Sequence, residues 1–491
     1  MDDFQAFALG PRSVNVIPVI ETMPGDLLTP LAVFLKLGSD KSHSFLLESV
    51  AGGESVARYS FIGVDPETVI CGNDRRVNVV TRHGARRVEI GVLDFLRRHF
   101  HGRKVESDES LPSYIGGAIG FLEFSCARWF EPSLNEVRAS ADEACFMFFR
   151  SIVAFDHAKQ EIKIVCLVFA DEAKGDDAEL EKLFRKARTK AADVRRALES
   201  NQIDIPPKPE VEGVSPIESN FSREQFEEAV RRIKEMICAG DCYQVVLSQR
   251  FSRKTAASPI AIYRALRSLN PSPYMFLLQV DRKSVIGASP EMLVRCRGRE
   301  LEYRPIAGTR PRGETAEIDA RLGDEMRADK KEIAEHMMLV DLGRNDLGRV
   351  CEYGSVKVES LMNIEKYSHV QHLVSSVTGK LDNEKDCFDA LAACFPAGTV
   401  SGAPKVAAIK KIEQLEPTPR GIYSGAVGYF DYSGNMDTCI AIRTVVLENG
   451  VATVQAGAGI VADSVPSSEF NETVNKARAQ INTIEIAEAG L

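Results

Sequence analysis

Between residues 13 and 170 the apolar side chains fall in short runs cut by Gly and Pro, at 14–20, 44–47, 118–124, 152–155 and 162–169. Runs this short, bounded by turn formers, predict strands of an antiparallel or mixed sheet. Residues 171–200 then turn charged and Ala-rich at helical spacing. The stretch from Ile205 through Pro206, Pro207 and Pro209 to Pro216 cannot continue that helix, because proline lacks the amide donor. The expected organisation is therefore a first region at 13–170, a helix plus Pro-rich linker at 171–221, and a second region at 222–487. The second region opens on Ser222-Arg223-Glu224-Gln225, a capping box. Phe226, Ala229, Val230, Ile233, Met236 and Ile237 follow at helical spacing, with Gly240 to close the helix. Beyond it strands are expected at 243–251, 274–280, 285–288, 292–295, 425–432, 439–447 and 451–455, and helices at 260–268, 320–341, 384–393, 404–415 and 467–487. Strands and helices do not alternate strictly, so the expected class is layered α+β and not a doubly wound parallel sheet.

Composition removes several kinds of function. The 61 Lys and Arg against 70 Asp and Glu leave a formal charge of −9, which argues against a nucleic-acid surface and requires any anionic ligand to have a dedicated pocket. No apolar run reaches the roughly 18 residues a membrane helix needs. Met1-Asp2-Asp3-Phe4 has neither a basic nor an apolar leader character, so the chain reads as cytosolic. The 11 cysteines are odd in number, form no Cys-x-x-Cys pair and sit in apolar surroundings such as Val165-Cys166-Leu167. They are expected to be reduced core thiols.

Several stretches carry groups suited to an anion. Gly457-Ala458-Gly459-Ile460-Val461-Ala462 follows the 451–455 strand, but Asp463-Ser464-Val465-Pro466 separates it from the next helix, against a dinucleotide fingerprint. A turn exposing backbone amides to a small anionic group is the functional reading, and a plain tight turn is the alternative. Glu332 with Glu335, and Glu469 with Glu472, stand three apart in two predicted helices, each pair on one helical face. Two such faces, if they converge, offer the hard oxygen donors Mg²⁺ prefers; for the second pair the alternative is first-turn acids favoured by the helix dipole. From Phe395 to Lys405 a small-residue loop runs into a helix that Pro404 begins at its first position, leaving unpaired amides and the Lys405 charge for an anion, or simply a capped helix with an exposed lysine. Arg304, Arg310 and Arg312 lie among prolines and glycines up to Gly313, fit for carboxylates or for a solvated basic loop. His369 and His372 have no third ligand for zinc; one is an acid or base candidate, and a structural role for both is the alternative. Neither Gly-x-Cys-x-Gly nor Gly-x-Ser-x-Gly occurs, the nearest stretch, Gly240-Asp241-Cys242-Tyr243-Gln244, lacking the second glycine. Covalent hydrolase chemistry by this chain alone is therefore not expected.

Read in order, a set of longer motifs resembles the chorismate-utilising enzymes, most closely the component I (aminase) subunits of anthranilate synthase. The motifs are Leu46-Leu47-Glu48-Ser49, Asn270-Pro271-Ser272-Pro273-Tyr274-Met275-Phe276, Gly287-Ala288-Ser289-Pro290-Glu291, Pro305-Ile306-Ala307-Gly308-Thr309-Arg310-Pro311-Arg312-Gly313, Leu339-Val340-Asp341-Leu342-Gly343-Arg344-Asn345-Asp346, Ser401-Gly402-Ala403-Pro404-Lys405 and Gln455-Ala456-Gly457-Ala458-Gly459. The resemblance implies a two-lobed α+β fold of orthogonal antiparallel or mixed sheets flanked by helices. It also implies a Mg²⁺-dependent lyase that turns chorismate and ammonia into anthranilate and pyruvate at the head of tryptophan biosynthesis.

Carried over by position, it makes Glu335 and Glu472 the Mg²⁺ carboxylates, with Glu332 and Glu469 nearby. Gly308 and Thr309 bind the ring carboxylate, and Tyr423, Arg443 and the amides of Gly457, Ala458 and Gly459 cradle the enolpyruvyl carboxylate. Lys405 and Thr399 lie close to the site, Glu291 is the general acid, and His372 assists pyruvate loss. Glu48, Ser49, Pro273, Tyr274 and Met275 match a pocket for L-tryptophan as feedback inhibitor. Relatives that add water carry a lysine base where this chain has Gln244, and relatives that make 4-amino-4-deoxychorismate carry a lysine where it has Ala307. Both differences imply direct attack by ammonia at ring carbon 2. With no cysteine elbow here, the resemblance implies that ammonia comes from a separate glutamine amidotransferase subunit, two copies of each chain forming a heterotetramer in the cytoplasm. Two alternatives stay open at this point: an aminodeoxyisochorismate synthase that stops before pyruvate loss, and a catalytically silent tryptophan-binding subunit.

Overall fold

The computed structural model describes residues 14–490 except 39–40, 50–57, 107, 109, 201, 204, 206–207, 209–214 and 368–369. The readings of Met1 to Phe4, of Pro206, Pro207 and Pro209, and of His369 lie outside the described residues. Strand-forming runs from both halves of the chain build two sheets of 12 strands each. In one, His43–Glu48 lies between Tyr59–Val64 and Tyr274–Val280, followed by Lys283–Ser289, Thr444–Glu448, Val451–Ile460 and Gln244–Lys254. In the other, Ile306–Pro311 at one edge is followed by Val370–Lys380, Glu300–Tyr303, Met292–Arg297, Met436–Ile440, Ala426–Asp431 and Gly117–Leu122. The ladders are antiparallel and join the two regions of the sequence directly, Met275 opposite Glu48 in the first sheet and Tyr429 opposite Ile119 in the second. The class is α+β, two large antiparallel sheets flanked by helices.

Period-2 alternation explains the layering. Phe276 and Leu278 point into a core shared with Ile119, Phe121, Val427 and Tyr429 of the other sheet, while Met275 and Leu277 point the opposite way, to a core closed by helices such as Pro259–Leu269 and Pro466–Ala489. The second sheet buries Ala118 and Leu122 against Phe226, Val340, Leu391 and Ile409 of a third, helical core.

The expected elements need correction at several points. The run at 439–447 is not one strand: Met436–Ile440 belongs to the second sheet and Thr444–Glu448 to the first, and the chain crosses between them through Arg443 at φ 51°. A run of apolar residues broken only at Arg443 and Thr444 conceals such a crossing. The helix expected at 320–341 is two, Ala316–Ala328 and Lys330–Gly348, because Asp329 leaves helical geometry and its side chain accepts from the amides of Lys331 and Glu332. Pro404 stands at the N-cap of Lys405–Leu415 and not at its first helical position. The strand expected at 451–455 continues to Ile460. Two cysteines are not free: Cys71 and Cys145 face each other across adjacent strands at a Cα separation of 4.2 Å and are disulfide-bonded, the other nine being free thiols. Among the described residues no helix is long and apolar enough to cross a membrane.

Candidate active site

The site is laid on the strand Val451–Ile460. Gln244–Lys254 pairs with it along its length, Val246 opposite Gly459 and Ser248 opposite Gly457, whereas the neighbour on the other side, Thr444–Glu448, reaches only to Val454. Beyond Val454 one edge therefore has no strand partner among the described residues. Lys476 Nζ donates to the Gly457 carbonyl at 3.1 Å, which marks that carbonyl as facing the open edge. A strand residue turns its N–H and C=O the same way, so the amides of Gly457 and Gly459 face the opening too. The expected glycine turn is thus a strand edge on which the Gly457 and Gly459 amides are free donors, while the amide of Ala458, opposite Leu247, turns toward Gln244–Lys254 and is not. A Cβ at Gly457 would meet Tyr423 Oη at 2.8 Å, and one at Gly459 would meet Gln244 Nε2 at 2.5 Å. Tyr423 and Gln244 consequently lie on this floor, side by side.

Two crossings between the sheets run alongside it. Glu291 sits in the passage from Lys283–Ser289 to Met292–Arg297, and Arg443 in the passage from Met436–Ile440 to Thr444–Glu448. They are tied together, the Ile440 amide donating to the Glu291 carbonyl at 3.1 Å and the Ala288 amide to the Arg443 carbonyl at 3.2 Å. Ser289 Oγ donates to the Ile440 carbonyl at 2.7 Å and accepts from the Glu291 amide at 3.3 Å. Burial pushes the Glu291 carboxyl up to about 8; the Thr399 hydroxyl beside it pulls the other way. Thr399 Oγ1 is itself buried and makes no hydrogen bond of normal geometry with any of the described residues. Arg443 Nη1 donates to the Lys476 carbonyl at 3.0 Å, and with Glu472 and Asn475 it lines an open cleft of about 530 Å³. Burial lowers the Arg443 guanidinium, and the charges of Tyr423 and Glu472 oppose that.

A bulge in the Ile306–Pro311 strand adds a further wall. Its register with Val370–Lys380 shifts between Ala307 and Thr309, Gly308 takes φ +64°, and a Cβ there would meet Met326 Sδ at 3.0 Å and Glu332 Oε2 at 3.2 Å. Thr309 faces His372, whose Nδ1 lies 2.9 Å from the Gly308 carbonyl and 3.0 Å from Thr309 Oγ1. A carbonyl can only accept, so Nδ1 carries the proton and Nε2 keeps its lone pair. Burial, and more weakly Arg443, lowers the His372 imidazole.

The acidic pairs meet at this end. Burial first, then the charge of Glu332 and, more weakly, of Glu472, raises the Glu335 carboxyl; burial and Glu472 raise that of Glu469. Arg310 pairs with Glu332 at 3.1 Å and Lys476 with Glu472 at 2.6 Å. No three acidic, His or Cys side chains among the described residues close into a metal-holding group. The donor chemistry fits a hard divalent cation all the same: the carboxylates repel one another, and the charges of Arg310, Lys331 and Lys476 offset this only in part.

Four side chains expected to suit anions are engaged elsewhere. Lys405 Nζ is bound to Asp346 at 2.9 Å, with Asp346 4% exposed, so a buried ion pair and not an anion claims its charge. Arg304 pairs with Glu365, Arg310 with Glu332, and Arg312 with Asp319 at 2.8 Å; Arg310 lies in the strand Ile306–Pro311, Arg304 and Arg312 flank it, and all three guanidinium groups are already paired with carboxylates of the chain.

A second, separate cavity of about 350 Å³ lies between the sheets. Glu48, Ser49, Pro273, Tyr274 and Met275 all line it, joined by Arg295, Tyr429 and Asp437. Glu48 is held by Tyr263 Oη at 2.5 Å and Arg267 Nε at 3.1 Å, and Ser49 Oγ is buried without a partner among the described residues. Tyr274 Oη donates to Asp437 at 3.1 Å, and Arg295 bridges Asp437 at 2.8 Å and Tyr274 at 3.2 Å. Sequence reading missed Arg295 and Asp437; their one signal is polarity inside apolar strands.

The profile of the chorismate binding enzymes matches residues 42–482. The chain is 44% identical to probable anthranilate synthase component 1 of Schizosaccharomyces pombe, over 97% of its own length and 94% of that protein. It is also 44% identical to anthranilate synthase component 1 of Aquifex aeolicus, over 97% and 96%. The crystal structure of anthranilate synthase component I from Streptococcus pneumoniae superposes with a TM-score of 0.74 at 35% identity, covering 93% of this chain and 98% of that one.

Proposed function

This chain belongs to the chorismate-binding enzyme family and groups with anthranilate synthase component 1, and from that premise we propose how its residues carry out the reaction. The enzyme converts chorismate and ammonia to anthranilate and pyruvate. Ammonia adds at ring carbon 2 while the carbon-4 hydroxyl leaves as water, protonated by Glu291. Pyruvate is then eliminated as the proton at carbon 2 is removed, His372 Nε2 taking part, and the ring becomes aromatic. The amides of Gly457 and Gly459, with Tyr423 and Arg443, hold the enolpyruvyl carboxylate, while Gly308 and Thr309 meet the ring carboxylate. Thr399 supplies a hydroxyl that has no partner among the described residues to give up. Glu335 and Glu472, with Glu332 and Glu469 beside them, are the residues that would hold Mg²⁺, which supplies a positive charge opposite the ring carboxylate. Gln244 beside Gly459 cannot deprotonate water, in keeping with ammonia as the nucleophile.

One observation carries this reading. A carboxyl held protonated near neutral pH by burial stands next to an orphaned hydroxyl, at a crossing tied by hydrogen bonds to the crossing that carries Arg443. The name component 1 of the relatives supports a glutamine amidotransferase subunit as the ammonia source, in a complex with two copies of each chain, and the inter-sheet cavity supports feedback binding of L-tryptophan. The test is chorismate, Mg²⁺ and ammonium with the isolated chain, followed by anthranilate fluorescence. Turnover is expected with ammonium and absent with glutamine; a product that stays non-aromatic defeats the lyase step. Glu335→Ala and Glu472→Ala should each abolish Mg²⁺-dependent turnover with the fold intact, and full activity in both would remove the metal assignment.

A further inference from the structure

Beneath the site lies a buried ion pair that no step of the reaction uses. Glu416 and Arg420, 4% and 5% exposed, come from the segment after the Lys405–Leu415 helix. Arg420 donates from Nε and Nη2 to the two Glu416 oxygens at 3.0 and 2.7 Å. Its remaining donors all leave the pair: Nη2 to the Val246 carbonyl at 2.7 Å, Nη1 to the Val400 carbonyl at 2.7 Å and to Ser424 Oγ at 3.3 Å. Its guanidinium lies over the rings of Phe124 and Tyr423, 4.6 and 5.6 Å from their centroids. Glu416 Oε1 accepts from both the amide and the hydroxyl of Ser248 at 2.8 Å, and Ser248 Oγ accepts from Gln455 Nε2 at 2.8 Å.

Each of these acceptors and donors adjoins a site group. Val400 follows Thr399, Ser424 follows Tyr423, and Val246 and Ser248 face Gly459 and Gly457 across the ladder. A buried pair of charges gains little stability over apolar side chains of the same volume. What apolar side chains cannot supply is direction: a planar fork whose donors reach two separate carbonyls and one carboxylate at once. We infer that Arg420 and Glu416 are positioning residues, a clamp that sets the Thr399 loop and Tyr423 at a fixed distance from the glycine floor. The pair makes no hydrogen bond to Glu291 or Arg443 at the two crossings and acts through Thr399 and Tyr423.

The inference rests on the reaction proposed above, and the unsubstituted chain in the same assay keeps the two apart: its turnover of chorismate secures the reaction, and a variant equal to it overturns the clamp alone. Arg420→Lys keeps the charge opposite Glu416 but replaces the fork by a single point donor. It should stay folded with an unchanged circular dichroism spectrum and lose about 10- to 100-fold in kcat. Its KM for chorismate should stay within about threefold, because the floor amides are held by their own ladder. If Arg420 acts through Thr399, then Thr399→Val should lower kcat in the native background and change it by less than about twofold in the Arg420→Lys background. Additive losses, or wild-type kcat in Arg420→Lys, refute the clamp. Should Arg420→Lys fail to fold, Arg420→Met with Glu416→Leu removes both charges together; that variant folded and inactive supports the inference, and folded with wild-type kcat overturns it.

Discussion

Replacing Glu291 by Gln separates catalysis from stability in one residue. With its carboxyl held at about 8 in place of 4.5, about nine folded molecules in ten carry the proton at pH 7, against about one in three hundred for an ordinary glutamate. That is the acid a leaving hydroxyl needs, so kcat should be level through neutrality and fall about tenfold per pH unit once the pH rises through about 8. The same burial costs stability. The folded state holds its proton in the window where the unfolded glutamate has lost it, so stability falls as pH rises from 4.5 to about 8. At pH 7 the penalty works out near 3 kcal/mol, and above pH 8 near 5 kcal/mol. Glutamine keeps the shape and never ionises. Glu291→Gln should therefore lose about 10² to 10⁴ in kcat, yet unfold at higher urea than the native chain at pH 8 and at nearly equal urea at pH 4.5. Steady-state kinetics and urea unfolding at both pH values read the two effects. A variant no more stable at pH 8 than the native chain, or native activity undiminished at pH 9, would refute the assignment of a buried, protonated acid.

The other expectations are simpler. Lys405→Met leaves Asp346 buried and unpaired, so it should destabilise by about 3–5 kcal/mol while the KM for chorismate stays put, and adding Asp346→Asn should recover much of the loss; urea unfolding beside kinetics checks both. Gly457→Ala drives a methyl to within 2.8 Å of Tyr423 Oη, and should raise the chorismate KM by about tenfold or more, with partial recovery when Tyr423→Phe removes that oxygen. Ser49→Ala removes a hydroxyl that has no partner among the described residues lining the inter-sheet cavity, so calorimetry should show L-tryptophan bound about tenfold more weakly with kcat untouched.

Much of the fold was legible because it rests on local patterns. Short apolar runs cut by Gly and Pro became strands, and Ser222 to Gln225 became a capping box on Arg223–Cys238 with both reciprocal hydrogen bonds formed. Where a local pattern had two readings the sequence chose poorly. Residues 439–447 look like one strand because both sheets want apolar residues, and only the strand pairing, with Arg443 at positive φ between the two halves, reveals the change of sheet. Gly457 to Gly459 look like a turn, yet small residues there make room for Tyr423 and Gln244 over extended backbone. Lys405 looks like a free charge at a helix start until Asp346, 59 residues away in sequence, is brought against it.

Composition, period and motif order by themselves determined the layered α+β class, the family and most of the side chains in the candidate site, since these depend on residue identity and near neighbours. Tertiary structure alone decided which charges remain free, which edge of Val451–Ile460 stays open, and that two crossings between sheets bring Glu291 and Arg443 together. Those outcomes depend on desolvation and on partners far apart along the chain, and a linear sequence carries neither quantity.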